Sequence, residues 1–85
     1  MTTKTGKQIG AVIVVHMGQE RTDVLSVCAY PDTKPGNKAA NRRFARLARA
    51  LDKHAEQGDI DDALADGYYD LPSGEIIMVL HSFSA

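Results

Sequence analysis

Two stretches of this chain are apolar on both sides of a pleat, and that limits the folds open to it. In residues 8–17, QIGAVIVVHM, alternation puts Ile9, Ala11, Ile13 and Val15 on one side and Val12 and Val14 on the other. Residues 75–83, EIIMVLHSF, form a second strong strand of the same kind. β-Branched side chains are stiff at χ1 and pack well on a pleated surface, so both runs read as strands, the first as a central one. A strand apolar on both sides needs cover on both.

One cover is legible at once. Residues 35–58, PGNKAANRRFARLARALDKHAEQG, are rich in Ala, Leu and Arg, all strong helix formers. At about 100° per residue, Ala40, Phe44, Leu47, Ala48, Leu51 and Ala55 fall in one stripe that can lie on a sheet. Asn37 is read as the N-cap, Pro35 and Gly36 as the stop to the preceding strand, and Gly58 as the terminating residue, which predicts a helix over residues 37–57.

Shorter signals fill in the order. Residues 18–22 make a polar turn, and residues 23–30, DVLSVCAY, a second strand in an antiparallel hairpin, with Val24, Ser26, Cys28 and Tyr30 on one side. Asp59 is expected to cap a short second helix ended by Gly67, followed by a strand over residues 68–71. Leu71-Pro72-Ser73-Gly74 then has Pro and Gly where a β-turn places them. The predicted fold is a single two-layer α+β domain, order ββααββ, with an antiparallel sheet and one long helix on one face. The other face must be covered by the short helix, by loops and Tyr side chains, or by a second copy, so a homodimer is a reasonable expectation.

Eighty-five residues suffice for one modest core. With 44% hydrophobic and 25% charged residues the chain has the balance of a folded globular domain, and disorder is not expected beyond a frayed start over residues 1–7. A lone Cys28 excludes an intrachain disulfide and a cysteine-based zinc site. No apolar run is long enough to span a bilayer, and MTTKTGKQ lacks the apolar core of a signal peptide, so the expected location is cytoplasmic, without a membrane partner.

The net charge of −1 conceals a polarity. Residues 1–49 hold nine Lys or Arg against three acids, a net +6; residues 50–85 hold one Lys against eight acids, a net −7. On the long helix Lys38, Arg42, Arg46, Arg49 and Lys53 form an outward ridge with Arg43 on its flank. Lys38–Arg42, Arg42–Arg46 and Arg49–Lys53 are like-charge pairs at i,i+4, each costing about 0.2–0.5 kcal/mol. Basic first turns and acids Asp52 and Glu56 in the last turn also oppose the macrodipole. An acidic surface of the same molecule or an acidic partner would offset this arrangement.

Candidate chemistry is sparse. His16 and His81 would approach each other only if their strands pair suitably, and His54 lies on the helix; none stands in an HxH or HExxH pattern. Cys28 on a half-buried strand reads as a small hydrophobe. The acids of GDIDDALADG do not follow a calcium-loop order, and no phosphate-binding glycine pattern occurs, so neither catalysis nor any cofactor is expected.

Two binding readings remain. The ridge Lys38, Arg42, Arg46, Arg49 and Lys53, with Arg43, could meet successive phosphates of a nucleic acid, although the acidic second half would repel the same polyanion. Alternatively Asp59, Asp61, Asp62, Asp66, Asp70 and Glu75 present carboxylates to a basic groove of another protein, a groove meant for nucleic acid. Both blocks could equally be solvated surface whose ion pairs contribute little. With one long helix, NKAANRRFARLARALDKHA, and an acidic segment, DIDDALADGYYD, the chain resembles the small phage-encoded inhibitors of bacterial defence, anti-CRISPR proteins in particular. The resemblance implies a stoichiometric, non-enzymatic inhibitor of a CRISPR effector complex that occludes its DNA site or a subunit surface; it carries no residue roles, because those proteins share no motif.

Overall fold

The computed structural model describes residues 10–20 and 22–82. In chain order the elements are β1 (Ala11–Met17), β2 (Val24–Pro31), α1 (Lys34–Leu51), α2 (Gln57–Asp66), β3 (Tyr68–Asp70) and β4 (Ile76–Ser82). All strand pairs are antiparallel, in the order β2-β1-β4-β3. The two runs apolar on both sides are therefore the central strands, as their composition demands. The expected frayed start, residues 1–7, and the opening positions 8 and 9 of the first run lie outside the described residues.

Register decides which side chains share a side. Val14 opposes Cys28 on β2 and Val79 on β4, and Tyr69 opposes Ile77. These residues face the helices. α1 packs across β2, β1 and β4, and α2 packs on β3. Phe44, Ala48, Ile60 and Ala63 from the helices join Val12, Val14, Tyr69 and Ile77 from the sheet in one buried cluster. At its centre the Phe44 and Tyr69 rings meet edge to face, 6.5 Å between centroids and 74° between planes. Fully burying Phe44, Ile60 or Ile77 contributes about 1.5–3 kcal/mol each. Because α2 shares this cluster, the short helix lies on the same side as the long one and does not cover the second face.

Between His16 and Met17 the β1–β2 register shifts, so that Met17 opposes Val24 and Leu25 is the extra residue of a bulge. The expectation that Val24 shares a side with Ser26, Cys28 and Tyr30 fails here. A bulge reverses the alternation, and strict period-two counting cannot anticipate it.

The long helix begins earlier and ends earlier than its periodicity suggests. Its N-cap is Thr33, not Asn37: the Thr33 hydroxyl accepts from the Gly36 N–H at 3.2 Å, and Pro35 sits in the first turn where its missing N–H costs nothing. Asn37 instead donates its side-chain amide to Asp32 Oδ1 and the Thr33 carbonyl, each at 2.8 Å. Gly36 is buried because the chain folds back tightly on itself; a Cβ there would lie 1.8 Å from the Pro31 carbonyl oxygen.

At the other end α1 stops at Leu51, with Asp52 extended as its C-cap. The stripe stays in phase through Ala55, yet Leu51 is 42% exposed and only Ala55 packs against the core from beyond the helix. Lys53 and His54 fall in the turn that follows, so Arg49–Lys53 is not a helical pair, and Asp52 and Glu56 do not burden the last turn, whose charge is Arg49. Glu56, not Asp59, is the N-cap of α2; the Asp59 carboxylate reaches back to the Glu56 N–H at 3.3 Å. Gly58 lies in the first turn of α2, whereas Gly67 does end it, at φ 93, with its N–H on the Ala63 carbonyl at 2.7 Å. The Leu71–Gly74 turn closes as predicted, Gly74 N–H to the Leu71 carbonyl at 3.0 Å.

Candidate interaction surfaces

α2 and the edge strand β3 together build an acidic groove. Asp59, Asp62 and Asp66 follow one another at helical spacing, and Asp70 joins them from β3, with Tyr68, Tyr69 and Ala63 completing a shallow depression of about 350 Å3. The sequence fixes the three helical positions on one face through its i, i+3, i+7 spacing. Asp70 arrives because the helix cap at Gly67 returns the chain beside α2.

The structure thus gathers four of the six predicted acidic residues and separates two. Asp61 points along the helix and accepts from the Gln57 amide at 2.8 Å. Glu75 lies across the β3–β4 turn from Leu71, whose N–H its carbonyl accepts at 2.9 Å, but its side chain turns away from the groove, with Oε1 2.8 Å from Nε2 of the buried His16. Tyr68 and Tyr69 were missed in the sequence, since nothing local says that a three-residue edge strand borders an acidic helix.

On α1, Lys38, Arg42, Arg46 and Arg49 are all exposed, and Lys53 is exposed beyond the helix end. Arg42, Arg46 and Arg49 rim a shallow depression floored by Ala45. Arg43 is half-buried, and its Nε is buried without a hydrogen-bond partner among the described residues. Among the described residues no Lys or Arg lies within salt-bridge distance of a carboxylate, so no direct ion pair joins the acidic segment to the ridge. Among the described residues a neutral relay links the two blocks: Arg49 donates to the Gln57 side-chain oxygen, and the Gln57 amide donates to Asp61.

Behind the groove the Tyr69 hydroxyl donates to Asp52 Oδ2 at 2.7 Å. That bond, then burial and the carboxylates of Asp52 and Asp59, push the Tyr69 phenol up to about 12. The same bond, followed by the His54 backbone N–H at 3.0 Å, holds the Asp52 carboxyl below its ordinary value.

The histidines do not converge. His16 opposes Ile77 and His81 opposes Val12, which puts them on one side of the sheet but at opposite ends of the β1–β4 ladder. No group of three or more His, Cys, Asp or Glu able to hold a metal ion occurs among the described residues. Cys28 is half-buried on the helix side. No helix among the described residues is long and apolar enough to cross a membrane.

Opposite the helices the sheet presents a second, apolar side. β1 contributes Ile13, Val15 and Met17, and β4 contributes Ile76, Met78 and Leu80. Val24 and Val27 of β2 stand opposite Met17 and Val15, and Tyr68 stands opposite Met78. Val24 is 54%, Val27 55%, Tyr68 46% and Leu80 45% exposed, with Leu25 at 53% in the bulge beside them; among the described residues Leu51 is the one exposed large hydrophobic residue elsewhere.

Comparison with protein-family models, with curated proteins and with solved structures gave no match.

Proposed function

We propose that this protein acts by stoichiometric binding rather than catalysis, offering the groove of Asp59, Asp62, Asp66 and Asp70 to a basic surface of another protein. The observation that carries this reading is the convergence of four carboxylates from two elements on one depression, with no cation of the described residues paired to them. Carboxylates held on a helix and a paired strand keep a fixed spacing, and Tyr68, 46% exposed beside them, supplies flat apolar area with a hydrogen-bonding tip. A basic partner would gain rate from the field of the groove and orientation from its walls.

The resemblance to phage-encoded anti-CRISPR inhibitors supplies a class of partner: the nucleic-acid-binding surface of a defence complex in the host cytoplasm, with the carboxylates standing where phosphates would lie. Affinity capture from a host extract tests this. Charge reversal at Asp62 and Asp66 is expected to abolish capture while circular dichroism stays native, whereas reversal at Asp61, which lies outside the groove, leaves capture intact. Equal capture by all three proteins would sink the reading.

A second reading rests on the unpaired ridge: Lys38, Arg42, Arg46, Arg49 and Lys53 would contact nucleic-acid phosphates. It requires a mobility shift at low salt that fades as salt rises, and no shift at any salt removes it.

A further inference from the structure

We infer that the helix-free side of the sheet is the contact surface of a homodimer, in which two copies pack sheet against sheet. This goes beyond the charged-surface reading and does not depend on it.

Both helices lie on one side; on the other, Val15 and Ile76 are buried and Ile13, Met17 and Met78 half-buried, but Val24, Val27, Tyr68 and Leu80 are exposed with no helix above them among the described residues. Isolated exposed apolar side chains are ordinary, but here they cluster on a single face. Strands about 4.8 Å apart with residues about 3.4 Å apart give that face a footprint of roughly 400 Å2. Counting side-chain relief, two copies would bury on the order of 1,000 Å2, the size at which a contact becomes specific.

The occupant follows from charge. β1, β2 and β4 place no Lys, Arg, Asp or Glu on this side, and the first carboxylate is Asp70 on the edge strand. A surface without charge is complementary to itself, which is what a two-fold contact requires. Stacking two sheets about 10 Å apart completes a sandwich and leaves the α1 ridge and the α2 carboxylates outside, with Asp70 at the rim of the contact. Residues 1–9 and 83–85 are a poor match in composition, since Met1, Ile9 and Phe83 are their large apolar side chains beside Lys4 and Lys7.

Light scattering behind size exclusion tests the assembly, and isotope-filtered NMR locates the contact. The wild-type chain is expected at twice its 9.2 kDa mass. Val27→Lys with Leu80→Lys is expected to halve that mass. In a mixture of labelled and unlabelled wild-type chains, intermolecular NOEs are expected among the methyls of Val27, Met78 and Leu80; this measurement does not depend on whether the double variant folds. A monomer at several hundred micromolar overturns the proposal and leaves the face to a different partner. A dimer whose NOEs come from α1, or from β2 alone through edge pairing, overturns it equally.

Discussion

Tyr69 and Asp52 fasten the end of α1 to the edge of the sheet: a phenol on β3 donates to the carboxylate that caps the helix, across 17 positions of chain. Each partner shifts the other, and the shifts have opposite consequences at the two ends of the pH scale.

The alkaline limb comes from Tyr69. Its folded value, about 12, lies above the ordinary 10.0, so the protonated phenol favours the folded state. That stabilisation is complete below pH 10 and is lost as pH rises toward about 12, because the unfolded chain ionises first. Urea midpoints measured across this window are expected to fall in the wild type and to lose that component in Tyr69→Phe. For Asp52 the sign reverses: its contribution is present above the ordinary carboxyl value of 3.8 and declines as pH drops below it.

Gly36 and Gly58 should respond oppositely to alanine. A Cβ at Gly36 meets the Pro31 carbonyl oxygen at 1.8 Å, backbone that cannot yield without moving the β2–α1 junction. Overpacking of this kind costs about 1–3 kcal/mol or more. A Cβ at Gly58 meets nothing within 4 Å, so Gly58→Ala should stabilise α2 by about 0.4–1 kcal/mol through reduced freedom of the unfolded chain. Chemical denaturation of the two variants checks both signs; a neutral Gly36→Ala would contradict the tight junction.

Phe44→Ala removes the ring at the centre of the cluster, fully buried and edge-on to Tyr69. The expected loss is about 3–5 kcal/mol, a large share of what so small a domain possesses. Its thermal transition should fall sharply or disappear.

Arg42 sits between Lys38 and Arg46 at i±4, and no carboxylate of the described residues pairs with any of the three. Arg42→Glu turns two repulsions into two attractions and should stabilise the helix by about 0.8–2 kcal/mol at low ionic strength, less in high salt. If instead it weakens the protein, the ridge is compensated internally after all.

How much of this was legible in the sequence depends on range. β-Branched composition identified the central strands, and the Ala, Phe and Leu stripe put Ala40, Phe44 and Ala48 on the sheet. The boundaries of α1 failed because competing caps stand close together: Thr33 and Asn37 both suit an N-cap, and only the fold-back onto Pro31 selects Thr33. At the far end Leu51 and Ala55 keep the apolar period running through a real break at Asp52, whose carboxylate is committed to Tyr69 in a distant strand. The acidic groove was half visible. Helical spacing aligned Asp59, Asp62 and Asp66, but no spacing rule reveals that Asp70 joins them while Glu75 turns to His16.

The middle of the sheet joins β1 to β4, and His16 reaches Glu75 over 59 positions. Closing so long a loop must precede most of the cooperative gain, which slows folding relative to a helical domain of equal length. During synthesis β1 cannot complete its pairing until β4 is made, so the β1–β2 hairpin and α1 are in place before the sheet can close.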